Sequence, residues 1–259
     1  MSTLRTPRLA GSTALVTGAA GGLGAAQVAG LAQAGAKVLA HARSHGPALQ
    51  SVLERTGATP VIKDLGTPQA CRELIREAVA AAGRLDLLVA NHATMSMSPL
   101  VEADPMEWWL VVETNLLGTY ALIQEAVRVM REQGSGGRII VVSSEWGVIG
   151  WPEASAYAAS KAGLISLVKC LGHELAAEGI LVNAIAPGVI DTPQLNVDAQ
   201  SAGITLEEMH AQYAEGIPLG RIGRPEEIAA AVEFLADPQL HAIVGQTLQI
   251  NGGSTRGRV

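Results

Sequence analysis

"TGAAGGLG", Thr17 to Gly24, is the stretch whose reading decides the fold. Ahead of it "TALV", Thr13 to Val16, has the make-up of a short buried strand, and behind it "AAQVAGLAQA", Ala25 to Ala34, suits a helix. Glycines at 18, 22 and 24 let a backbone turn sharply and approach a ligand closely, and the helix start that follows offers free N–H groups to a diphosphate. A plain tight turn would use the same glycines; their place after the first strand of a βαβ unit favours dinucleotide binding. The spacing is G-x-x-x-G-x-G, not the G-x-G-x-x-G of the generic dinucleotide fold.

Outward from this turn, short β-type runs alternate with segments of helix length. The runs are "TALVTG", "AKVLAHA", "TPVIKD", "LDLLVAN", "RIIVVSS", "LVNAIAPG" and "QTLQING". Alternation of this kind predicts a doubly wound α/β fold, a parallel sheet of about seven strands with helices on both faces, and near-continuous apolar strands suit burial on both sides. No composition break or linker divides residues 1–259, so one domain is expected. Gly35 and Gly83 stand where left-handed helix caps would sit. The polar segment Pro193 to Gly216 interrupts the alternation and is expected to be a substrate lid with a short helix near Thr205 to Tyr213.

Composition narrows the function classes. With 259 residues, 48% hydrophobic and 16% charged, the chain can bury a sizeable core, yet no apolar run approaches the ~18 residues of a membrane span. The first residues lack a secretory pattern, and Cys71 and Cys170 lie far apart without a CxxC or Cys/His cluster, so a cytoplasmic protein with reduced thiols is expected. A net charge of −6 with scattered arginines leaves no stripe for nucleic acid, and the six histidines form no metal-ligand spacing. No metal, nucleic acid or membrane partner is expected.

A second stretch, "SAYAASKAG" from Ser155 to Gly163, places Tyr157 and Lys161 four residues apart on a predicted helix. At that spacing the ammonium lies beside the phenol, favours the phenolate and lowers a pKa that is ordinarily near 10. Tyr157 is then suited to act as acid/base on a carbonyl or carbinol oxygen.

Taken together, these motifs resemble the short-chain dehydrogenase/reductase family, in its sub-group of roughly 250-residue chains similar to 3-oxoacyl reductases. "TGAAGGLG" is similar to the family's T-G-x-x-x-G-x-G turn and "YAASK" to its Y-x-x-x-K. Ser144, Asn115 in "NLLG", Pro187 and Gly188, Thr192 and the closing "GQTLQINGG" follow in family order over nearly the whole chain. The resemblance implies that Asn115, Ser144, Tyr157 and Lys161 are catalytic: Ser144 binds the substrate oxygen, Lys161 also holds the nicotinamide ribose, and Asn115 holds a relay water. It implies a cofactor site of Gly18, Gly22, Leu23, Gly24, Asp64, Leu65, Asn91, Tyr157, Lys161, Pro187, Gly188 and Thr192, with Asp64 at the adenine. One departure is plain: "ANHA", Ala90 to Ala93, stands where the family has N-N-A-G, and His92 is read as a structural histidine.

Between Lys37 and Glu54 there is no acid to bind ribose hydroxyls; relatives that use NAD usually carry Asp where Ala42 stands. Arg43 and Ser44 are free to meet a 2′-phosphate, so NADP(H) is expected over NAD(H). The implied reaction is hydride transfer between nicotinamide and a secondary alcohol/ketone pair, 3-oxoacyl thioesters within range. The alternative is a cofactor-binding sensor of the same fold without turnover. A serine hydrolase is set aside, as Ser144 has no G-x-S-x-G elbow. Trp146, Trp151, Met95 and Met97 could wall an apolar pocket and Glu145 could meet a polar substrate; both readings stand at this point. The family also implies a homotetramer, paired through Pro105 to Gln133, Ala154 to Glu178 and the C-terminal strand and helix.

Overall fold

A computed structural model describes residues 8–255; the expected single-domain span of 1–259 therefore has both its ends outside the described residues. The seven strands are β1 (Thr13–Val16), β2 (Lys37–Ala42), β3 (Thr59–Ile62), β4 (Leu87–Ala90), β5 (Gly137–Val142), β6 (Ile180–Pro187) and β7 (Thr247–Ile250). All seven fall inside the expected runs to within a residue. The helices up to β5 are α1 (Gly22–Gln33), α2 (Pro47–Thr56), α3 (Pro68–Ala82), α4 (Pro105–Val112) and α5 (Thr119–Gln133). Beyond it come α6 (Trp146–Ile149), α7 (Ser155–Leu175), α8 (Pro193–Ala202), α9 (Leu206–Glu215) and α10 (Pro225–Ala236).

One parallel sheet results, with strand order β3-β2-β1-β4-β5-β6-β7. Its two faces follow from the period of two along each strand. Leu15, Leu39, Leu88, Ile139 and Val141 enter the core under α3, α5 and α7. Their neighbours Val16, Val38, Val89, Ile140 and Val142 enter the other core, with Val28 and Leu31 of α1 and Val232 of α10. Local chemistry sets the helix ends: Thr67 caps α3 through its hydroxyl, which accepts from the Ala70 N–H at 3.2 Å, and Gly83 ends it in the left-handed region. Gly35 also has positive φ, as expected.

Between β1 and β4 the order of winding reverses, opening a crevice at the carboxyl ends of the strands where such sheets bind ligands. The expected lid differs in detail. Pro193 to Gly216 carries two helices, α8 and α9, not one. Thr205 and Glu208 form a reciprocal cap that signals α9, whereas the polar sequence of α8 gives little apolar periodicity. Glu113–Gly118, between α4 and α5, is a π-helical turn, an insertion that no sequence signal marked.

Candidate active site

The glycine turn between β1 and α1 is held from below by polar groups. Gly18 adopts φ +67°, and a Cβ on Gly24 would lie 2.1 Å from the Gly18 carbonyl oxygen, so no side chain fits there. The Thr17 hydroxyl oxygen accepts the N–H groups of Asn91 (2.9 Å) and His92 (3.1 Å). The Asn91 side chain donates to the Thr17 carbonyl at 2.9 Å and accepts from Gln27 of α1 at 3.2 Å. "ANHA" thus keeps Asn91, whose side chain ties the end of β4 to the turn.

Two histidines complete this support. His41 Nδ1 accepts the Gly18 N–H at 3.2 Å and its Nε2 lies 2.9 Å from the Lys63 carbonyl, which fixes a neutral ring protonated at Nε2. Burial pushes its pKa below the ordinary value, against the raising effect of the Lys63 carbonyl. His41 was absent from the sequence-derived site; its place in the apolar run "KVLAHA" reads as a strand residue, and only the fold brings it under Gly18. His92 Nδ1 lies 3.0 Å from the Thr17 hydroxyl, and its Nε2 is buried without a hydrogen-bond partner among the described residues. Burial first, helped by the charge of the neighbouring Lys161, lowers its pKa to about 3. His92 is a neutral supporting histidine.

On the other side of the crevice α7 presents Tyr157 and Lys161 one turn apart, facing the end of β5. Lys161 is 2% exposed, and its Nζ donates to the Val142 carbonyl at 2.7 Å and lies 5.4 Å from the centre of the Tyr157 ring. Burial lowers the lysine to about 8. The Tyr157 phenol departs from expectation: burial raises its pKa, and the hydrogen bond with Ser144 pulls only partly the other way. The sequence shows that a cation is near but not how much water the fold removes, and here desolvation is the largest effect on the phenol. Ser143 Oγ donates to the Lys161 carbonyl at 2.9 Å and Ser144 bonds Tyr157, so both serines meet α7; the strand alternation expected to turn them opposite ways ends with β5 at Val142.

Asn115 sits in the π-helical turn, fully buried. Its amide donates to the Thr94 carbonyl (2.8 Å) and Ser160 Oγ (3.1 Å), and its oxygen accepts the Thr94 N–H at 2.8 Å. It is therefore behind the cleft, not on its wall. Glu145 is buried next to Ser144; its carboxylate accepts from the Ser254 hydroxyl, and burial raises its pKa despite hydrogen bonds from Ser254 and Asn251.

These groups share one cleft of about 1110 Å³. Gly18, Gly22, Leu23, Arg43, Asp64, Leu65, Asn91, Ser144, Tyr157, Lys161, Pro187, Gly188 and Thr192 all line it. Thr192 lies over the turn, 3.6 Å from where a Cβ on Gly22 would stand. Gly24 lies beneath, and Ser44 is exposed beyond Arg43 and outside the lining. Of the four side chains expected to wall an apolar pocket, Met95 and Trp146 line the cleft; Met97 lies elsewhere and Trp151 stacks behind Trp146. Among the described residues no three His, Cys, Asp or Glu side chains group as metal ligands, both cysteines are free, and no helix is long and apolar enough to cross a membrane.

A doubly wound sheet with a glycine turn at its crevice, and a tyrosine, lysine and serine across from that turn, defines a nicotinamide-nucleotide-dependent oxidoreductase. Comparison with known proteins agrees. A family model described as enoyl-(acyl carrier protein) reductase matches residues 18–255. The chain is 37% identical over 252 residues to the 3-oxoacyl-(acyl-carrier-protein) reductase of Rickettsia conorii, covering 95% of this chain and 97% of that one. It is also 37% identical over 247 residues to that of Escherichia coli, covering 94% and 97%. The crystal structure of a short-chain type dehydrogenase/reductase from Mycobacterium marinum superposes with a TM-score of 0.87 at 33% identity, covering 95% and 96%. The chain belongs to the short-chain dehydrogenase/reductase family.

Proposed function

We propose that this enzyme is an NADP(H)-dependent oxidoreductase that interconverts a secondary alcohol and a ketone, with Tyr157 as its acid/base. The observation that carries this reading is the meeting of Ser144, Tyr157 and Lys161 in the same cleft as the glycine turn. The turn fits a dinucleotide: its glycines leave no side chain between the backbone and a diphosphate, and the N-terminus of α1 faces the same space. When bound, the nicotinamide supplies hydride to a carbonyl carbon in reduction and takes it back in oxidation. Ser144 Oγ donates a hydrogen bond to the substrate oxygen. Tyr157 protonates that oxygen as negative charge builds on it, and in the reverse direction its phenolate removes the hydroxyl proton.

Lys161, held by the Val142 carbonyl, stabilises that phenolate and would hold the nicotinamide ribose. Asn115 acts through others: by fixing Thr94 and Ser160 it shapes the place where a relay water is held behind Lys161. Pro187, Gly188 and Thr192, which line the cleft, would hold the nicotinamide half of the cofactor, and Asp64, Leu65 and Asn91 would hold the adenosine half. The segment Pro193 to Gly216 closes over the substrate as a lid, Leu195 and Tyr213 facing the cleft.

Preference for NADP(H) rests on Arg43, which lines the cleft at the end of β2, where the chain carries no carboxylate. Removing a charge-assisted hydrogen bond costs about 1.5–3 kcal/mol, so Arg43→Ala weakens NADPH about 10- to 150-fold while leaving NADH nearly unchanged. Fluorescence titration with both cofactors, and kcat/KM for each, tests this; a wild-type preference for NADH sinks the assignment. A homotetramer is supported by exposed apolar side chains on α4 and α5 (Met106 73%, Trp109 53% and Tyr120 40% exposed) and on the C-terminal elements (Phe234 45%, Leu248 39%). Light scattering distinguishes it from a monomer. The free thiols and the lack of a spanning helix among the described residues support a cytoplasmic enzyme.

A further inference from the structure

We propose that the substrate is a small free ketone or secondary alcohol carrying an apolar ring, and that Trp146 is the side chain against which that ring packs. This rests on the oxidoreductase reading above. Trp146 follows Ser144 by two residues and opens the short helix α6, which leans on α7 so closely that a Cβ on Gly147 would fall 2.7 Å from the Lys161 carbonyl carbon. Its indole is fixed from two directions. One is Trp151, stacked on it with ring centres 5.1 Å apart and planes 6° from parallel. The other is Tyr157, whose ring stands at 83° to it, 5.9 Å between centres. The loop carrying Trp151 is itself tied down, the Ser98 N–H donating to the Glu153 carbonyl at 2.9 Å.

A substituent on a carbon whose oxygen rests on Tyr157 and Ser144 lies within reach of this held indole. Met95, Leu110, Ile190, Leu195 and Tyr213 line the same cleft and continue an apolar wall. The polar groups nearby have other partners: Glu145 takes the Ser254 hydroxyl, and the Gln194 amide donates to Asp198 at 2.9 Å. These pairings argue against a polyhydroxylated substrate, which needs several free donors and acceptors. Charge argues against a carrier-borne thioester, the substrate named for the curated relatives. Such a thioester arrives on a long anionic tether. The basic side chains lining the cleft are Arg43 and Lys63 at the ends of β2 and β3, Lys63 already paired with Glu73 and Glu77, and the buried Lys161. Beside Trp146 and on the lid the charged lining residues are the acids Glu145 and Asp198.

The test measures kcat/KM with NADPH for acetophenone, 2-octanone, acetoacetyl-coenzyme A and dihydroxyacetone, in wild type, Trp146→Ala and Trp146→Phe, with NADPH binding followed by fluorescence in each. Acetophenone is expected to be the best of the four. Trp146→Ala should lower its kcat/KM relative to that of 2-octanone by about thirtyfold, the size of a lost aromatic contact and its buried area, and Trp146→Phe should restore most of the loss. A thioester or dihydroxyacetone as best substrate overturns the inference, and so does an equal effect of Trp146→Ala on both ketones. Binding of NADPH without turnover of acetophenone overturns this inference, whereas the oxidoreductase reading it rests on fails separately, if neither NADPH nor NADH binds.

Discussion

His92 and acid expose the support under the glycine turn to direct measurement. In an unfolded chain a histidine takes up a proton near pH 6.5, but in the fold burial holds His92 at about 3. Above the unfolded value both states are neutral and the residue leaves stability independent of pH. Below it the unfolded chain binds a proton that the native state refuses, so stability is lost as pH falls. At about pH 5 the loss is RT ln(1 + 10^1.5), about 2 kcal/mol, and it hardly depends on the native value so long as that lies well below 5. His41 adds to the loss with the same sign, because its pKa is lowered too. Urea unfolding of wild type and His92→Ala at about pH 8 and pH 5 isolates the first contribution. The variant is weaker at both pH values, having lost the Thr17 contact, but it should lose about 2 kcal/mol less than wild type on acidification. Parallel pH dependences would refute the reasoning, as the carboxylates titrate in both proteins alike.

Two further outcomes follow from the cleft. Gly24→Ala forces a Cβ into the Gly18 carbonyl, so NADPH binding by fluorescence should fall more than about a hundredfold, as expected when backbone displaced by an ångström no longer meets its ligand. Lys161, lowered to about 8, loses its charge above that pH; kcat/KM for carbonyl reduction should be level up to about pH 8 and decline beyond it, and a profile level through about pH 9.5 would contradict the assigned role.

The sheet was readable because its apolar runs leave few other ways to bury themselves, β1, β2, β4, β5 and β6 being buried along most of their length and only the edge strands β3 and β7 partly exposed, and "TGAAGGLG" and "YAASK" announce their place and spacing. What escaped reading depends on contacts between distant segments. His41 joins Gly18 only because β2 lies beside β1, and the raised pKa of Tyr157 depends on water excluded by the fold. The π-helical turn at Glu113–Gly118 breaks no local rule of propensity, yet it is what turns Asn115 toward Thr94 and Ser160. α8 was missed because its residues are polar on most sides and its stability comes from Leu195 and Ala199, which are buried beneath it.

The central claim, hydride transfer with Tyr157 as acid/base, is tested most directly by comparing Tyr157→Phe with wild type in two assays: NADPH binding by fluorescence, and ketone-dependent NADPH consumption. Loss of a general acid is worth about 10² to 10⁴ in rate, so turnover should fall by that factor or more while the NADPH dissociation constant changes little. Turnover at the wild-type rate in Tyr157→Phe would contradict the account.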